Sequence, residues 1–405
     1  MPLTRRALMA ATAANAPVWR AGPQESGTIR IGVLTDLSGP DRDITGPTSV
    51  ACLHQAVEDF GVSGKGFTVE VLAADHRNKP NLGADIARYW FDHDGVDVIM
   101  DVPSAPVALA VNTIVKDRNK VYINTGCLSA ELTGALCTGN TVHWSCDTAM
   151  IAVSTGDALT KAGGDTWYFI AADYAFCQQL KRDTVAAVQR AGDRVLGTTA
   201  YPFPATWNFT AILQQAKASG AKVIALASAA EDTATCVRQA RELRLTDKAK
   251  LAALLGSLTM VHGIGLDVAQ GLLLTESFYW DMNPRTRAWM DRLRPKTPSN
   301  YPNEMHAGVY AGALHYLKVV AELGAARAKQ DGAATVARMK ATPTLDDCYG
   351  AGKIRADGRY LCPAYLFEVK KPIESVGEWD LYKLVGTTPA DKAAAPESAC
   401  AITPA

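Results

Sequence analysis

The sequence predicts an α/β protein with two lobes, each built on a parallel sheet flanked by helices. Short apolar runs alternate along the chain with segments in which apolar residues recur every three or four positions, a pattern typical of strands joined by helical crossovers. This alternation begins afresh near Asp165, as expected for a second lobe built like the first. The chain of 405 residues also exceeds what one ordinary core accommodates.

Apolar runs of the first lobe predict strands, and helical periodicity predicts the helices between them. Because segments of crossover length separate the strands, we expect the strands to run parallel. Ligands of such sheets bind at the loops that follow the carboxyl ends of the strands. The predicted strands are 30–36, 67–73, 98–101 and 121–124, and the predicted helices are 48–60, 81–93 and 107–118.

The segment 98–124 reads most clearly as strand, helix, strand. Ser104 is a natural helix N-cap and Pro106 suits a first helical turn, so free N–H groups should face the edge of the sheet. The second strand opens into a small polar loop, 125–129, at the same edge. Because helix N-termini and bare amides attract negative charge, these two loops predict a cradle for an anionic group.

The second lobe repeats the pattern, and further elements follow it. No G-x-G-x-x-G sequence follows a strand, which argues against a dinucleotide cofactor. The tail 388–405 is rich in Ala and Pro and is predicted to be poorly ordered. The predicted strands are 167–171, 194–201, 223–228, 251–255, 271–278, 364–370 and 379–385, and the predicted helices are 178–191, 206–219, 233–243, 285–293, 307–323 and 331–340.

The N-terminus resembles an export signal. Arg5 and Arg6 precede the small apolar stretch 7–16, and their order is that of a twin-arginine signal. Ala14, Asn15 and Ala16 offer a cleavage site of the Ala-x-Ala kind. The alternative is a disordered cytoplasmic leader. No later stretch has the ~18 uninterrupted apolar residues of a membrane span, so we expect a soluble mature protein.

Charge and motifs exclude several classes of function. Lys and Arg number 41, as do Asp and Glu, so no net field attracts nucleic acid. The chain has no G-x-S-x-G, H-E-x-x-H or Walker sequence, and its seven histidines are scattered, which argues against an enzyme. No C-x-x-C or Cys/His spacing predicts a metal site. We therefore expect neither a metal nor a cofactor.

Nine cysteines are many for a reducing cytosol and fit an oxidising compartment. The odd count leaves at least one of them unpaired. Cys348 and Cys362 flank a turn-rich segment and could close a short loop as a disulfide.

Several sequence blocks together resemble the extracytoplasmic solute-binding proteins of ABC transporters, in the branched-chain amino-acid binding branch of the type I periplasmic fold. The resemblance runs from Ile31 to Thr388. It implies two Rossmann-like lobes, joined by a three-strand hinge, that close on a small ligand. The blocks are IGVLTDLSGP and ITGP within 31–47, ADHRNKPNLG at 74–83, DVPSAPVALAV at 101–111, NTVHW at 140–144, GGDTWYFIAADYAF at 163–176 and AGVYAGALHYLKVV at 307–320.

The resemblance also implies a domain order and partners. The closed form would dock on a permease of the inner membrane, and the protein would be a periplasmic monomer without a cofactor. The expected divisions are a leader at 1–27, the first lobe at 28–146 and 278–350, the second lobe at 147–277 and 351–387, and a flexible tail at 388–405.

In the family, loops of the first lobe hold the ligand carboxylate and an aromatic residue comes from the second lobe. Tyr174 matches the aromatic position, Ser228 and Tyr279 are looser candidates, and Arg42 is a candidate cation for the carboxylate. The first-lobe positions that match are Ser104, Ala105, Thr125, Cys127 and Ser129.

One departure from the family bears on the ligand. Amino-acid binders place an acidic group against the ligand ammonium, but here the predicted strand 251–255 is followed by Gly256, Ser257, Leu258 and Thr259. An unpaired buried ammonium would cost several kcal/mol, so an α-amino acid should be rejected. We therefore predict a small organic acid, and the blocks most resemble the subgroup linked to aromatic carboxylates.

Two groups of alternatives stay open. Glu231 and Asp232 could supply the acidic group, or they could serve as N-terminal charge on the following helix. The ligand could accordingly be an amino acid, an amide or a urea bound by the same fold. The remaining alternatives are an α/β enzyme and a ligand-sensing receptor domain.

Overall fold

The computed structural model describes residues 27–161, 163–203, 206–228, 230–397 and 400. The export signal expected at the N-terminus lies outside these residues. Five parallel strands form the first sheet in the order β2-β1-β3-β4-β5. Its elements are β1 (Thr28–Thr35), α1 (Gly46–Phe60), β2 (Thr68–Asp75), α2 (Pro80–Tyr89), β3 (Val98–Asp101), α3 (Ala105–Asp117), β4 (Val121–Asn124) and β5 (Thr141–His143).

The second sheet begins after β5. The sequence patterns did not predict the helix α4. The elements of this part are α4 (Thr148–Lys161), β6 (Thr166–Ala172), α5 (Ala175–Arg190), β7 (Arg194–Tyr201), α6 (Thr210–Ala218), β8 (Val223–Ala227), α7 (Ala230–Glu242), β9 (Lys250–Ala253), α8 (Leu258–Ile264), α9 (Leu266–Ala269) and β10 (Leu273–Glu276).

The rest of the chain adds helices to the first lobe and strands to both lobes. The elements are α10 (Pro284–Leu293), α11 (Glu304–Leu323), α12 (Ala325–Gln330), α13 (Gly332–Ala341), β11 (Thr344–Asp346), β12 (Gly350–Ile354), β13 (Tyr360–Leu361), β14 (Ala364–Val369), β15 (Tyr382–Thr388) and α14 (Ala390–Ala393).

The predicted fold class is confirmed, with one addition. The second sheet has the order β15-β14-β10-β9-β8-β6-β7, in which β6 to β10 run parallel while β14 and β15 are antiparallel. A small antiparallel sheet, β11-β12-β13, lies beside the first, since Arg359 bridges to His143 of β5. No described helix is both long enough and apolar enough to cross a membrane.

Three segments carry the chain between the two large sheets, and we call them the crossings: 144–147, 277–283 and 362–363. The third crossing lies later in the chain than the boundary expected at 350. The reason is that β12 and β13 stay beside β5, whereas β14 pairs with β10 of the second sheet.

A buried carboxylate at the start of α11 ties two crossings together. Glu304 accepts hydrogen bonds from the Cys146 thiol (2.6 Å) and from the N–H and hydroxyl of Ser277 (2.6 and 2.7 Å). Glu276 lies beside it and accepts from the Tyr382 hydroxyl at 2.9 Å. Burial raises the pKa of both Glu276 and Glu304, and the charge of Glu304 raises that of Glu276 further.

The buried Arg359 connects the small sheet to the first crossing. Its guanidinium donates to the carbonyl of Ser145 and lies 3.5 Å from a carboxylate oxygen of Asp147. Because an isolated buried charge is costly, this pairing fixes the first crossing against β13.

The predicted disulfide between Cys348 and Cys362 is wrong. Both residues are free thiols, and the structure instead joins Cys137 to Cys400. Both side chains lie near Tyr349 and Tyr360, so spacing along the chain indicated that they are close but not whether their sulfurs are bonded.

Helix α11 is buried along almost its whole length, and a glycine lets it approach the first sheet. A Cβ on Gly312 would lie 2.8 Å from the side chain of Ile123 on β4 and 3.4 Å from Met100 on β3. A methyl group at this position therefore cannot fit without moving the strand or the helix.

The substitution Gly312→Ala tests this contact. We expect it to lower the free energy of unfolding by about 1–2 kcal/mol, because overpacking outweighs the gain in helix propensity. Gly263→Ala in α8 is the control, since no atom lies within 4 Å of the Cβ that it adds. Urea unfolding should separate the two variants; equal stability would contradict the close approach.

Candidate functional site

The carboxyl ends of the two sets of parallel strands carry two groups of loops. We call residues 36–46, 102–105 and 125–129 the first rim, and residues 173–176, 202–203, 228 and 230–233 the second rim. Burial and the neighbouring Cys177 raise the pKa of Tyr174 on the second rim. Asp41 and Cys127 of the first rim raise it further, so the two rims lie within electrostatic range of each other.

Ser104 and Ala105 begin α3 at the first rim. The Ser104 side chain makes no capping hydrogen bond, and its backbone is extended (φ −74°, ψ 118°). The N–H groups of a first helical turn have no intrahelical acceptor, and Pro106 has no N–H. Ala105 and Val107 therefore leave N–H donors at the end of the sheet, beside the Ser104 hydroxyl.

The side chains of Thr125, Cys127 and Ser129 are buried and shape the first rim from inside. Thr125 donates to Asp101 at 3.5 Å, and the Cys127 sulfur accepts from the Ser129 N–H at 3.5 Å. Burial raises the pKa of Cys127 to about 12, so its thiol stays neutral. The Ser129 hydroxyl accepts from the Glu131 N–H at 3.4 Å, so all three side chains hold the loop in place.

Arg42, the predicted cation, already has a partner. Its guanidinium lies 2.7 Å from a carboxylate oxygen of Asp43, and both side chains are largely exposed. An exposed pair of this kind contributes little energy, but it compensates the charge of Arg42 locally.

Tyr174 lies at the start of α5, and its ring is 5.6 Å from that of Phe203 in the loop after β7. The two side chains are 41% and 44% exposed, so one aromatic surface faces solvent at the second rim. Phe203 was not predicted as a site residue. The sequence feature that could have indicated Phe203 is its position, two residues after the end of the predicted strand 194–201.

Ser228, on the second rim, and Tyr279 are both buried. The Ser228 hydroxyl lies 2.8 Å from that of Thr233. The Tyr279 hydroxyl donates to the Trp379 carbonyl at 3.2 Å and accepts from the Leu381 N–H at 3.1 Å. Tyr279 thus belongs to the aromatic core of the second lobe, and the structure does not bring it to the rims.

Acidic groups of the first rim were not predicted. Asp36 accepts from the N–H groups of Gly39 (2.6 Å) and Asp41 (3.0 Å), and its carboxylate binds the Asn78 amide at 3.2 Å. Asn78 also donates to Asp41 at 3.2 Å. Burial and the charge of Asp36 raise the pKa of Asp41.

A second carboxylate lies on the second rim. The Tyr201 hydroxyl at the end of β7 donates to Asp232 at 2.9 Å. Burial and the nearby Glu231 raise the pKa of Asp232. Asp232 lies both at the carboxyl edge of the sheet and in the first turn of α7. Its position is therefore compatible with both expected roles, a partner for a ligand ammonium and N-terminal charge on the helix.

No group of three or more His, Cys, Asp or Glu side chains within the described ranges could hold a metal ion. A surface depression of about 430 Å³ is lined by Gly164, Lys222, Lys248 and Gln270, among others. It lies at the opposite, amino-terminal edge of the second sheet and takes no part in the rims.

Asp101 lies beneath the first rim at the end of β3. It is fully buried, one of its carboxylate oxygens has no hydrogen-bond partner among the described residues, and its φ is 78°. Burial raises its pKa from 3.8 to about 7. The folded protein therefore holds a proton there that the unfolded chain has released above pH 4.

The variant Asp101→Asn tests whether the folded protein holds a proton on Asp101. In the wild type this site reduces the free energy of unfolding as pH rises from 4 to 7, by at most ~1.4 kcal/mol per pH unit. Asn is neutral and tolerates positive φ, so the variant should lose this slope and be more stable than wild type at pH 8 by roughly 2–4 kcal/mol. Urea unfolding at pH 5 and pH 8 measures both values, with the exposed Asp85→Asn as control. If the free energy of unfolding of the Asp101 variant falls with pH as steeply as that of the wild type, the proton is not on Asp101.

The chain is similar to a known family and to several solved structures. A family model described as periplasmic binding protein matches residues 28–374. A periplasmic binding protein from Burkholderia mallei is 38% identical, with 93% of this chain and 98% of that chain covered and a TM-score of 0.83. A comparison with curated protein sequences finds no match.

Two further solved structures are similar. A branched chain amino acid ABC transporter periplasmic ligand-binding protein from Burkholderia xenovorans LB400 is 34% identical, with 92% of this chain and 99% of that chain covered and a TM-score of 0.86. An ABC transporter solute binding protein from R. palustris in complex with 4-hydroxybenzoate is 21% identical, with 90% and 97% covered and a TM-score of 0.79. The second likeness is one of fold.

Proposed function

This chain belongs to the periplasmic binding protein family, and on that premise we propose that it captures a small organic acid, preferably an aromatic one, between its two rims by hinge closure. Family membership makes it the substrate-binding component of an ABC transporter rather than an enzyme. Its partners are accordingly a small-molecule ligand and a membrane permease, and its location is periplasmic.

The proposal that the ligand is an acid rests on two helix N-termini, one at each rim. The helix α3 begins at Ala105 on the first rim and α5 begins at Ala175 on the second, and neither has a side-chain cap. Free N–H groups and the positive end of the helix dipole favour a carboxylate between them. The Ser104 hydroxyl adds a further donor beside the first of these helices.

The aromatic pair of the second rim supports a ring on the ligand. Tyr174 and Phe203 together expose an apolar surface near the start of α5. A planar ring stacked on such a pair gains about 0.5–1.5 kcal/mol beyond the area that it buries. The R. palustris protein whose structure contains 4-hydroxybenzoate has the same fold and gives independent, coarser support.

A second candidate, an amino-acid ligand, is favoured by Asp232. Its carboxylate lies at the second rim with one hydrogen bond from Tyr201, so it could accept another from a ligand ammonium. Asp41 offers a similar acceptor on the first rim. A hydroxyl on an aromatic acid could use the same two carboxylates, so the choice between the ligands requires a binding measurement.

The decisive experiment is calorimetric titration of the protein with benzoate, 4-hydroxybenzoate and leucine, combined with Ala105→Pro. Proline is tolerated at the first helical position and Ser104 is already extended, so the variant should fold while lacking one N–H donor. We expect aromatic-acid affinity to fall at least tenfold, the loss of ~1.5 kcal/mol or more for a charged hydrogen bond. Ala390→Pro, at the start of α14, is the matched control. Unchanged affinity in Ala105→Pro would refute the helix N-terminus as the carboxylate site.

The variant Asp232→Asn separates the two candidates. If the ligand is an amino acid, loss of the carboxylate should lower leucine affinity by 10-fold or more, because the ammonium would lose its ionised partner. If the ligand is an aromatic acid without a donor group, benzoate affinity should stay within about twofold. Tight leucine binding that depends on Asp232 would overturn the aromatic-acid proposal.

A further inference from the structure

The described residues of the tail contact both lobes. After β15, the edge strand of the second sheet, α14 packs on α4 of the same lobe, and Ala393 of α14 is fully buried. This segment had been expected to lack order. The helix α14 instead packs on the second lobe, where the burial of its apolar side chain stabilises the contact.

The far end of the tail is bonded to the first lobe. Cys400 forms the disulfide with Cys137, which lies in the loop before β5. That loop is held firmly on both sides of the cysteine. The amide of Asn112 on α3 donates to the Leu136 carbonyl at 2.9 Å, and the Thr138 hydroxyl donates to that of Thr141 on β5 at 3.1 Å.

An arginine near the small sheet holds the middle of the tail. Arg355, between β12 and β13, donates to the Ala395 carbonyl at 2.6 Å and lies 3.5 Å from a carboxylate oxygen of Glu397. Its own position is fixed by the side chain of Asp357. Since β12 and β13 lie beside β5, these contacts also tie the tail to the first lobe.

We propose that residues 394–397 and Cys400, which we call the strap, form a fourth connection between the lobes and that the Cys137–Cys400 disulfide limits how far they open. The three crossings already allow hinge motion, and a strap bonded to one lobe and joined to a helix packed on the other limits how far the lobes can separate. This inference holds for any ligand, because the hydrogen bond, ion pair and disulfide of the described strap residues involve no residue of either rim.

The strap makes the hinge sensitive to redox conditions. A dithiol reductant attacks the disulfide through one thiolate, and its second thiol then displaces the remaining cysteine. Two electrons and two protons thereby convert the bridge into two thiols, while the reductant becomes a disulfide. The contacts of Arg355 would then be the remaining tie between the strap and the first lobe, so we expect a wider opening of the ligand-free protein.

The test is small-angle X-ray scattering of the ligand-free protein and of the variant Cys137→Ser/Cys400→Ser. We expect the radius of gyration to rise by about 1 Å in the variant, because hinge opening moves whole lobes. Dithiothreitol should produce the same rise in the wild type and no further rise in the variant. Circular dichroism confirms that both proteins remain folded. Arg355→Gln keeps the disulfide, so it should leave the radius near the wild-type value.

Two results would overturn the proposal. One is an unchanged radius of gyration in the folded double variant and in the reduced wild type. The other is a thiol titration of the denatured, unreduced protein that counts all nine cysteines instead of the seven free ones. Neither readout involves a ligand, so failure of the strap is distinguishable from failure of the proposed acid ligand.

Discussion

The architecture depends on one buried carboxylate at the junction of the lobes. Glu304 accepts hydrogen bonds from Cys146 of the first crossing and Ser277 of the second, so two passages of the chain meet at one side chain. Arg359 joins the small sheet to the first crossing through Ser145. Polar groups buried this deeply are stable only while their partners are in place, which holds the first and second crossings together at the hinge.

That junction determines what the rims can do. Both rims follow the carboxyl ends of parallel strands, so each presents helix N-termini, and the crossings hold the two sets within electrostatic range. The rims also carry carboxylates, Asp41 on one side and Asp232 on the other. Donors for an anion therefore coexist with acceptors for a ligand hydroxyl or ammonium, a mixture that suits a ligand with two unlike polar ends.

The sequence indicated much of the fold but less of the site. Strands and their helical crossovers were predictable because apolar periodicity reflects burial directly. The helix α4 was not predicted, and β5, with three residues, is too short to show an alternating pattern. Among site residues, Tyr174 lies on the second rim and its contact with a ligand stays a prediction, whereas Tyr279 packs in the core and Arg42 pairs with Asp43. Residue type and position after a strand do not reveal which way a side chain points.

The sequence by itself determined that this protein has two α/β lobes, that their loops meet at carboxyl edges and that no metal or nucleotide motif is present. Only the tertiary structure decided which cysteines pair, because Cys137 and Cys400 are 263 residues apart and become neighbours through the return of the tail. The same holds for the Tyr201–Asp232 pair and for Glu304. Local sequence patterns report burial along one element, whereas contacts between distant elements depend on how whole sheets and helices pack.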